Sequence, residues 1–63
     1  MKYDVDVQLT GEDGNAFAIM GAVTRGLRQA GATHEEIAQY TSEAMSGDYN
    51  KLLQVSMEWV NVE

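Results

Sequence analysis

The sequence predicts a small α+β domain spanning residues 1–63, with its elements in the order β-α-α-α-β. Three observations predict this fold: an alternating apolar pattern near the N-terminus, three segments with apolar residues at helical spacing, and a C-terminal cluster of β-forming residues. The 63 residues include no cysteine and no proline. Length therefore allows one domain, and composition excludes a disulfide-stapled or cysteine-ligated zinc fold.

The first strand is predicted by strict alternation over residues 2–10. Apolar side chains share one parity and polar ones take the other, which is the pattern of a strand with one buried and one solvated face. The apolar set is Tyr3, Val5, Val7 and Leu9. Residues 10–15 contain two glycines and several turn-forming residues, so the strand is expected to end there in a turn that leads into a helix.

The first helix is predicted to begin at Ala16 and to continue to about Ala30, with Asn15 or Asp13 as its N-cap. Gly31 is the expected C-cap, and basic residues near the C-terminal end suit the helix dipole. Two glycines inside the helix each cost about 1 kcal/mol relative to Ala, or else allow a neighbouring element to approach closely. They are Gly21 and Gly26.

The second helix is predicted by the capping box Thr33-His34-Glu35-Glu36 and by an apolar stripe from Ile37 to Met45 that ends at Ser46-Gly47. Asp48 is the expected cap of a third helix that begins at Tyr49. Residues 55–62 fit both helical spacing and alternation, so the boundary between the third helix and a C-terminal strand is left open.

The N-terminal strand needs a partner, because an isolated strand leaves its backbone amides and carbonyls unpaired. Within one chain, residues 59–62 are predicted to pair with residues 3–7. The other solution, which can coexist with the first in one sheet, is that the strand pairs with its own copy in a second chain about a two-fold axis; centring that axis on Val7 avoids placing Asp4 opposite Asp6. The small size also favours a homo-oligomer, with a dimer as the first expectation.

Two parts of the chain carry a resemblance to a known family. They are the run Val7–Gly21, which reads VQLTGEDGNAFAIMG, and the segment Ser46-Gly47-Asp48-Tyr49 followed by Leu52-Leu53 and Trp59-Val60. The sequence resembles a family of short acidic proteins from phage and mobile-element genomes and related bacterial loci. The resemblance implies context rather than site residues: a stoichiometric modulator of a host factor or of host defence.

Charge limits the partners that the chain is expected to bind. Ten acidic residues against four Lys and Arg give a formal net charge of −6, which argues against direct nucleic-acid binding and for a protein partner with a basic surface. No segment has the apolar run of a signal peptide or a membrane span, so a cytoplasmic location is expected, in the bacterial host if the gene is phage-borne.

No catalytic, cofactor or metal site is predicted. His34 follows a helix cap and is interpreted as a solvated side chain, and the carboxylates do not match the spacing of a calcium loop. The turn at residues 10–15 resembles an anion site at a helix N-terminus, but Glu12 and Asp13 would repel phosphate, so a purely structural turn is favoured.

Arg25 and Arg28 share one helix flank, where they either grip an anionic group of a partner or pair with Glu35 or Glu36. Of the large aromatics, Phe17 or Trp59 is expected to be partly exposed at an interface. The complete set of predicted partner or ligand contacts is Asp4, Asp6, Glu12, Asp13, Asn15, Arg25, Arg28 and Trp59.

The sequence therefore predicts a non-enzymatic interaction protein that inhibits or modulates a nucleic-acid-handling or defence protein. In the strongest form of this hypothesis, acidic side chains imitate the charge of a nucleic acid. These side chains are Asp4, Asp6, Glu12, Asp13, Glu35, Glu36 and Glu43. The alternative is an oligomer that binds a phosphorylated small molecule or nucleotide between subunits. It would use the turn from Gly11 to Asn15 together with Arg25 and Arg28 of a neighbouring chain.

Overall fold

Side-chain caps fix the start of all three helices. The computed structural model describes residues 2–9 and 14–63, and its helices are α1 Ala16–Gln29, α2 His34–Ala44 and α3 Tyr49–Trp59. Each cap accepts a hydrogen bond from the backbone amide three residues later, at 2.8 to 3.1 Å. The capping residues are Asn15, Thr33 and Asp48. The alternative cap of α1, Asp13, lies outside the described residues.

The capping box at the start of α2 is confirmed. The Thr33 hydroxyl accepts from the Glu36 amide at 3.1 Å, and the Glu36 carboxylate accepts from the Thr33 amide at 3.0 Å. Two amides that the helix leaves unpaired are thereby satisfied.

Helix α1 ends in a Schellman motif rather than at a glycine cap. Ala30 is the C-cap, and Gly31 follows it with a φ of 91°, the left-handed conformation that glycine adopts without strain. The amides of Gly31 and Ala32 donate to the carbonyls of Arg28 and Leu27 at 3.1 and 2.9 Å. Gly31 therefore helps to end the helix, but from the position after the expected one, because the C-cap itself is Ala30.

The C-terminal tail divides sharply between helix and strand. Helix α3 continues through Trp59, Val60 is extended with φ −140° and ψ 169°, and strand β2 occupies Asn61–Val62. It pairs in parallel with strand β1, Asp6–Val7, in the register Asp6 to Asn61 and Val7 to Val62. The expected order β-α-α-α-β is confirmed.

Backbone hydrogen bonds extend this pairing beyond the two short strands. The amides of Asn61 and Glu63 donate to the carbonyls of Val5 and Val7 at 2.9 Å, and the Tyr3 amide donates to the Trp59 carbonyl at 2.9 Å. The predicted pairing of the N-terminal segment with residues 59–62 of the same chain is therefore confirmed. Of residues 2–9, Asp6–Val7 alone forms a regular strand, which is shorter than the alternating pattern predicts.

The core lies between the three helices and the inner face of the sheet. It consists of Val7, Ile19, Val23, Leu27, Tyr40, Ala44, Leu52, Val55, Trp59 and Val60. Ser56, the one buried polar residue among those described, accepts from the Tyr40 hydroxyl at 2.7 Å and donates to the Leu52 carbonyl at 2.9 Å. Among the described helices, none is long and apolar enough to cross a membrane.

Candidate interaction surface

Two predicted contact residues, Asp4 and Asp6, lie together on the exposed face of the N-terminal segment. The Asn61 side-chain amide donates to both carboxylates, at 3.0 Å to Asp4 and 3.1 Å to Asp6. Alternation along an extended segment places both side chains on one face, about 6.6 Å apart along the chain. A shared donor thus holds two negative charges side by side at the protein surface.

A second acidic group, formed by Glu36 and Glu43, faces Lys2. Glu36 has its pKa lowered chiefly by the Thr33 amide and then by the nearby Tyr3 hydroxyl. Hydrogen bonding to Glu36 in turn raises the pKa of Tyr3. The pKa of Glu43 is lowered first by a hydrogen bond from the side-chain amide of Gln39. The charged form of both carboxylates is therefore favoured, and residues 2 and 3 lie beside them.

Trp59, one of the predicted contact residues, is buried instead of exposed. Its side chain is only 1% exposed, because α3 continues through this position and directs the indole into the core. The ring packs edge-to-face on Tyr40 with centroids 5.8 Å apart, and the indole N–H donates to Glu43 at 3.2 Å. The Lys2 ammonium lies 4.2 Å from the ring centroid and shields it from solvent.

Arg25 and Arg28 are both exposed near the C-terminal end of α1. Neither forms an ion pair within residues 2–9 and 14–63, so the predicted pairing with Glu35 or Glu36 does not occur there. Arg25 and Asp6 line one shallow polar groove between β1 and α1. The structure thus brings together one predicted acidic contact and one predicted basic contact, and leaves Arg28 outside that groove.

The proposed anion site at the start of α1 falls mainly outside the described residues, because Glu12 and Asp13 are not among them. Asn15, which is described, acts as the cap of α1. Asn15 and Arg25 are ten residues apart, which is about 15 Å along a helix. One chain therefore does not bring this cap and the arginines to one ligand. His34 is exposed at the first position of α2.

An apolar groove opens where the start of α1, the end of α2 and the start of α3 meet. Its volume is about 270 Å³, and it is lined by Ala16, Phe17, Met20, Ala44, Met45, Gly47, Asp48, Tyr49 and Leu52. Three of its side chains are unusually exposed for their size: Phe17 at 78%, Met45 at 60% and Tyr49 at 46%. The Tyr49 hydroxyl donates to the Gly14 carbonyl at 2.5 Å, which fixes the ring at the groove wall.

Sequence reasoning placed Met45 in the buried stripe of α2 and did not single out this groove. Met45 follows helical spacing, but it is the C-cap of α2, and its side chain is exposed there. The exposure of Phe17 agrees with its position at the flank of the α1 stripe. The sequence does place two large side chains, Met45 and Tyr49, on either side of the helix break at Ser46-Gly47, and this pattern could have indicated an exposed apolar site.

Comparison with protein-family models, curated proteins and solved structures finds no match for this chain.

Proposed function

We propose that this protein acts by stoichiometric binding to a protein with a basic surface, and not by catalysis. The observation that supports this best is the pair Asp4 and Asp6, held side by side on the surface by Asn61. Fixed carboxylates lose little side-chain entropy on binding, and they attract a cationic partner before contact is made.

The distribution of the remaining charge supports the same function. The described residues include eight acidic and four basic side chains. One of the four, Lys2, lies over the Trp59 ring and near Glu36 and Glu43. The sequence resembles short acidic phage proteins, and in that context the proposed partner is a host protein that handles nucleic acid or serves in defence. Its basic groove would accept this acidic surface in place of nucleic acid.

Competition with nucleic acid is the appropriate test. The immobilised protein is incubated with a bacterial lysate at about 0.05 M salt, where surface charges are weakly screened, and bound proteins are eluted with rising salt or with duplex DNA. We expect basic nucleic-acid-binding proteins to be retained, to be released by about 0.5 M salt, and to be displaced by DNA. Retention that is insensitive to both salt and DNA would refute charge mimicry.

Two variants separate the acidic surface from the arginines. Asp4→Asn with Asp6→Asn removes two charges while keeping oxygens that accept from Asn61, so retention is expected to weaken. Arg28→Gln makes the protein more acidic and is expected to strengthen retention. If Arg28→Gln weakens retention instead, the arginine flank contacts the partner and the acidic surface does not dominate.

A further inference from the structure

We propose that the apolar groove docks the apolar face of a basic amphipathic helix of the partner. This inference rests on the proposed function, because it assigns to the same basic partner the segment that enters the groove. The groove is the one defined above by residues from the start of α1, the end of α2 and the start of α3.

The groove walls suit an apolar helix face. Phe17 and Tyr49 supply aromatic surface, and the hydrogen bond from Tyr49 to Gly14 holds one ring in position before a ligand arrives. Met20 and Met45 supply flexible thioether side chains, which adapt to the shape of whatever packs on them. Leu52 closes the floor and is buried in the core. Helices bind such grooves through apolar side chains spaced three or four residues apart.

The net charge of −6, and not the balanced charge beside the groove, favours a cationic helix. Asp48 is the only charged side chain among the described residues that line the groove. Lys51 lies in the first turn of α3, with the base of its side chain against Gly47 of the groove, and its charge is also near enough to Glu43 to help lower the pKa of that carboxyl. Arg25 lies eight residues beyond Phe17 on α1, about 12 Å along the helix axis. A helix with Lys or Arg flanking its apolar face therefore meets an acidic domain, with Asp48 and Lys51 both beside the groove.

A second copy of this chain fits the groove less well. The exposed parts of Phe17, Met45 and Tyr49 amount to roughly 400 Å² if a large side chain presents about 200 Å². A stable interface buries about 800 Å² on each partner, so this patch needs additional contacts whichever molecule occupies it. Electrostatic attraction can add to the binding of a cationic helix, whereas two copies of this chain would each bring a net charge of −6 and repel.

The test uses three fluorescent peptides of about 18 residues, five helical turns. The first carries Leu at helical spacing with Lys elsewhere, the second has the same composition in scrambled order, and the third replaces every Lys of the first with Glu. Binding of each to the full chain is measured by fluorescence anisotropy at low and at moderate salt. We expect the patterned Leu/Lys peptide to bind at least about tenfold more tightly than either control.

Matched variants locate the binding site. Met45 and Met57 are exposed to similar extents, 60% and 57%, but only Met45 lines the groove. Met45→Ala and Phe17→Ala are expected to weaken binding of the patterned peptide about tenfold, whereas Met57→Ala changes it less than about twofold. All three side chains are exposed, so circular dichroism should show unchanged folding. Equal effects of Met45→Ala and Met57→Ala would overturn the assignment.

The outcomes distinguish this inference from the proposed function. If the patterned and scrambled Lys peptides bind equally and salt weakens both, the acidic surface binds cations and the groove proposal fails alone. If the patterned Lys and Glu peptides bind equally and without salt dependence, the groove binds helices but the charge-based function fails. If light scattering shows a dimer that Phe17→Ala dissociates, the occupant is a second copy and the partner helix is excluded.

Discussion

Replacing Gly26 with alanine tests the closest approach between the sheet and helix α1. A Cβ atom at Gly26 would lie 2.6 Å from a methyl carbon of Val7, well inside van der Waals contact. Val7 is buried, and its β-branched side chain has little freedom to rotate away. Gly26 therefore allows β1 to pack directly on the helix backbone.

The magnitude follows from two opposing effects. Alanine is favoured over glycine inside a helix by about 1 kcal/mol, while inserting a methyl group into a filled core costs about 1–3 kcal/mol. Gly21 provides the matched control in the same helix, because its added Cβ would make only an ordinary 3.9 Å contact with Arg25. Gly21→Ala should thus be stabilising by up to about 1 kcal/mol, and Gly26→Ala less stable than Gly21→Ala by about 1–3 kcal/mol.

Thermal unfolding followed by circular dichroism measures this difference. For a domain of this size 1 kcal/mol corresponds to about 4–8 °C, so Gly26→Ala should melt at least about 4 °C below Gly21→Ala. Urea denaturation gives the same comparison as a free energy of unfolding.

A double-mutant cycle identifies the cause. Val7→Ala removes the methyl group that the new Cβ would strike, so it should destabilise the Gly26→Ala variant less than it destabilises the natural sequence, with a coupling of about 1 kcal/mol or more. Equal melting temperatures for Gly26→Ala and Gly21→Ala, or a coupling near zero, would refute the close approach of β1 and α1.

Three other measurements test the core and the helix ends. Ser56→Ala removes the acceptor of the buried Tyr40 hydroxyl and should reduce the free energy of unfolding by about 1–3 kcal/mol in urea denaturation, whereas adding Tyr40→Phe should recover part of that loss. Thr33→Ala should lower it by about 1 kcal/mol, and Thr33→Ser by much less, because serine retains the capping hydroxyl. Because the pKa values of Glu36 and Glu43 are lowered on folding, their stabilisation is complete above the ordinary value of 4.5 and is lost as pH falls below it. A melting temperature that is independent of pH between about 5 and 2.5 would contradict this assignment.

Local signals in the sequence determined the elements and their beginnings. A cap side chain bonds to an amide three residues away, so Thr33 and Asp48 specify helix starts without reference to the rest of the fold. The parity of Val5 and Val7 likewise specifies which face of the strand is buried, because side chains alternate along any extended segment. These are short-range effects, and a single sequence contains all that they require.

Only the tertiary structure decided which of two equally good local patterns applies. Residues 55–62 fit helix and strand alike, and the boundary at Trp59 follows from the ring's packing on Tyr40 and from the parallel pairing of Asn61–Val62 with β1. The same contacts bury Trp59 and leave Phe17 exposed, although the sequence offered either as a surface aromatic. Gly21 and Gly26 are likewise equivalent in sequence, and only the approach of Val7 distinguishes them. Periodicity fixes the face on which a side chain lies, whereas its burial depends on which element packs against that face, and that contact joins residues far apart in the chain.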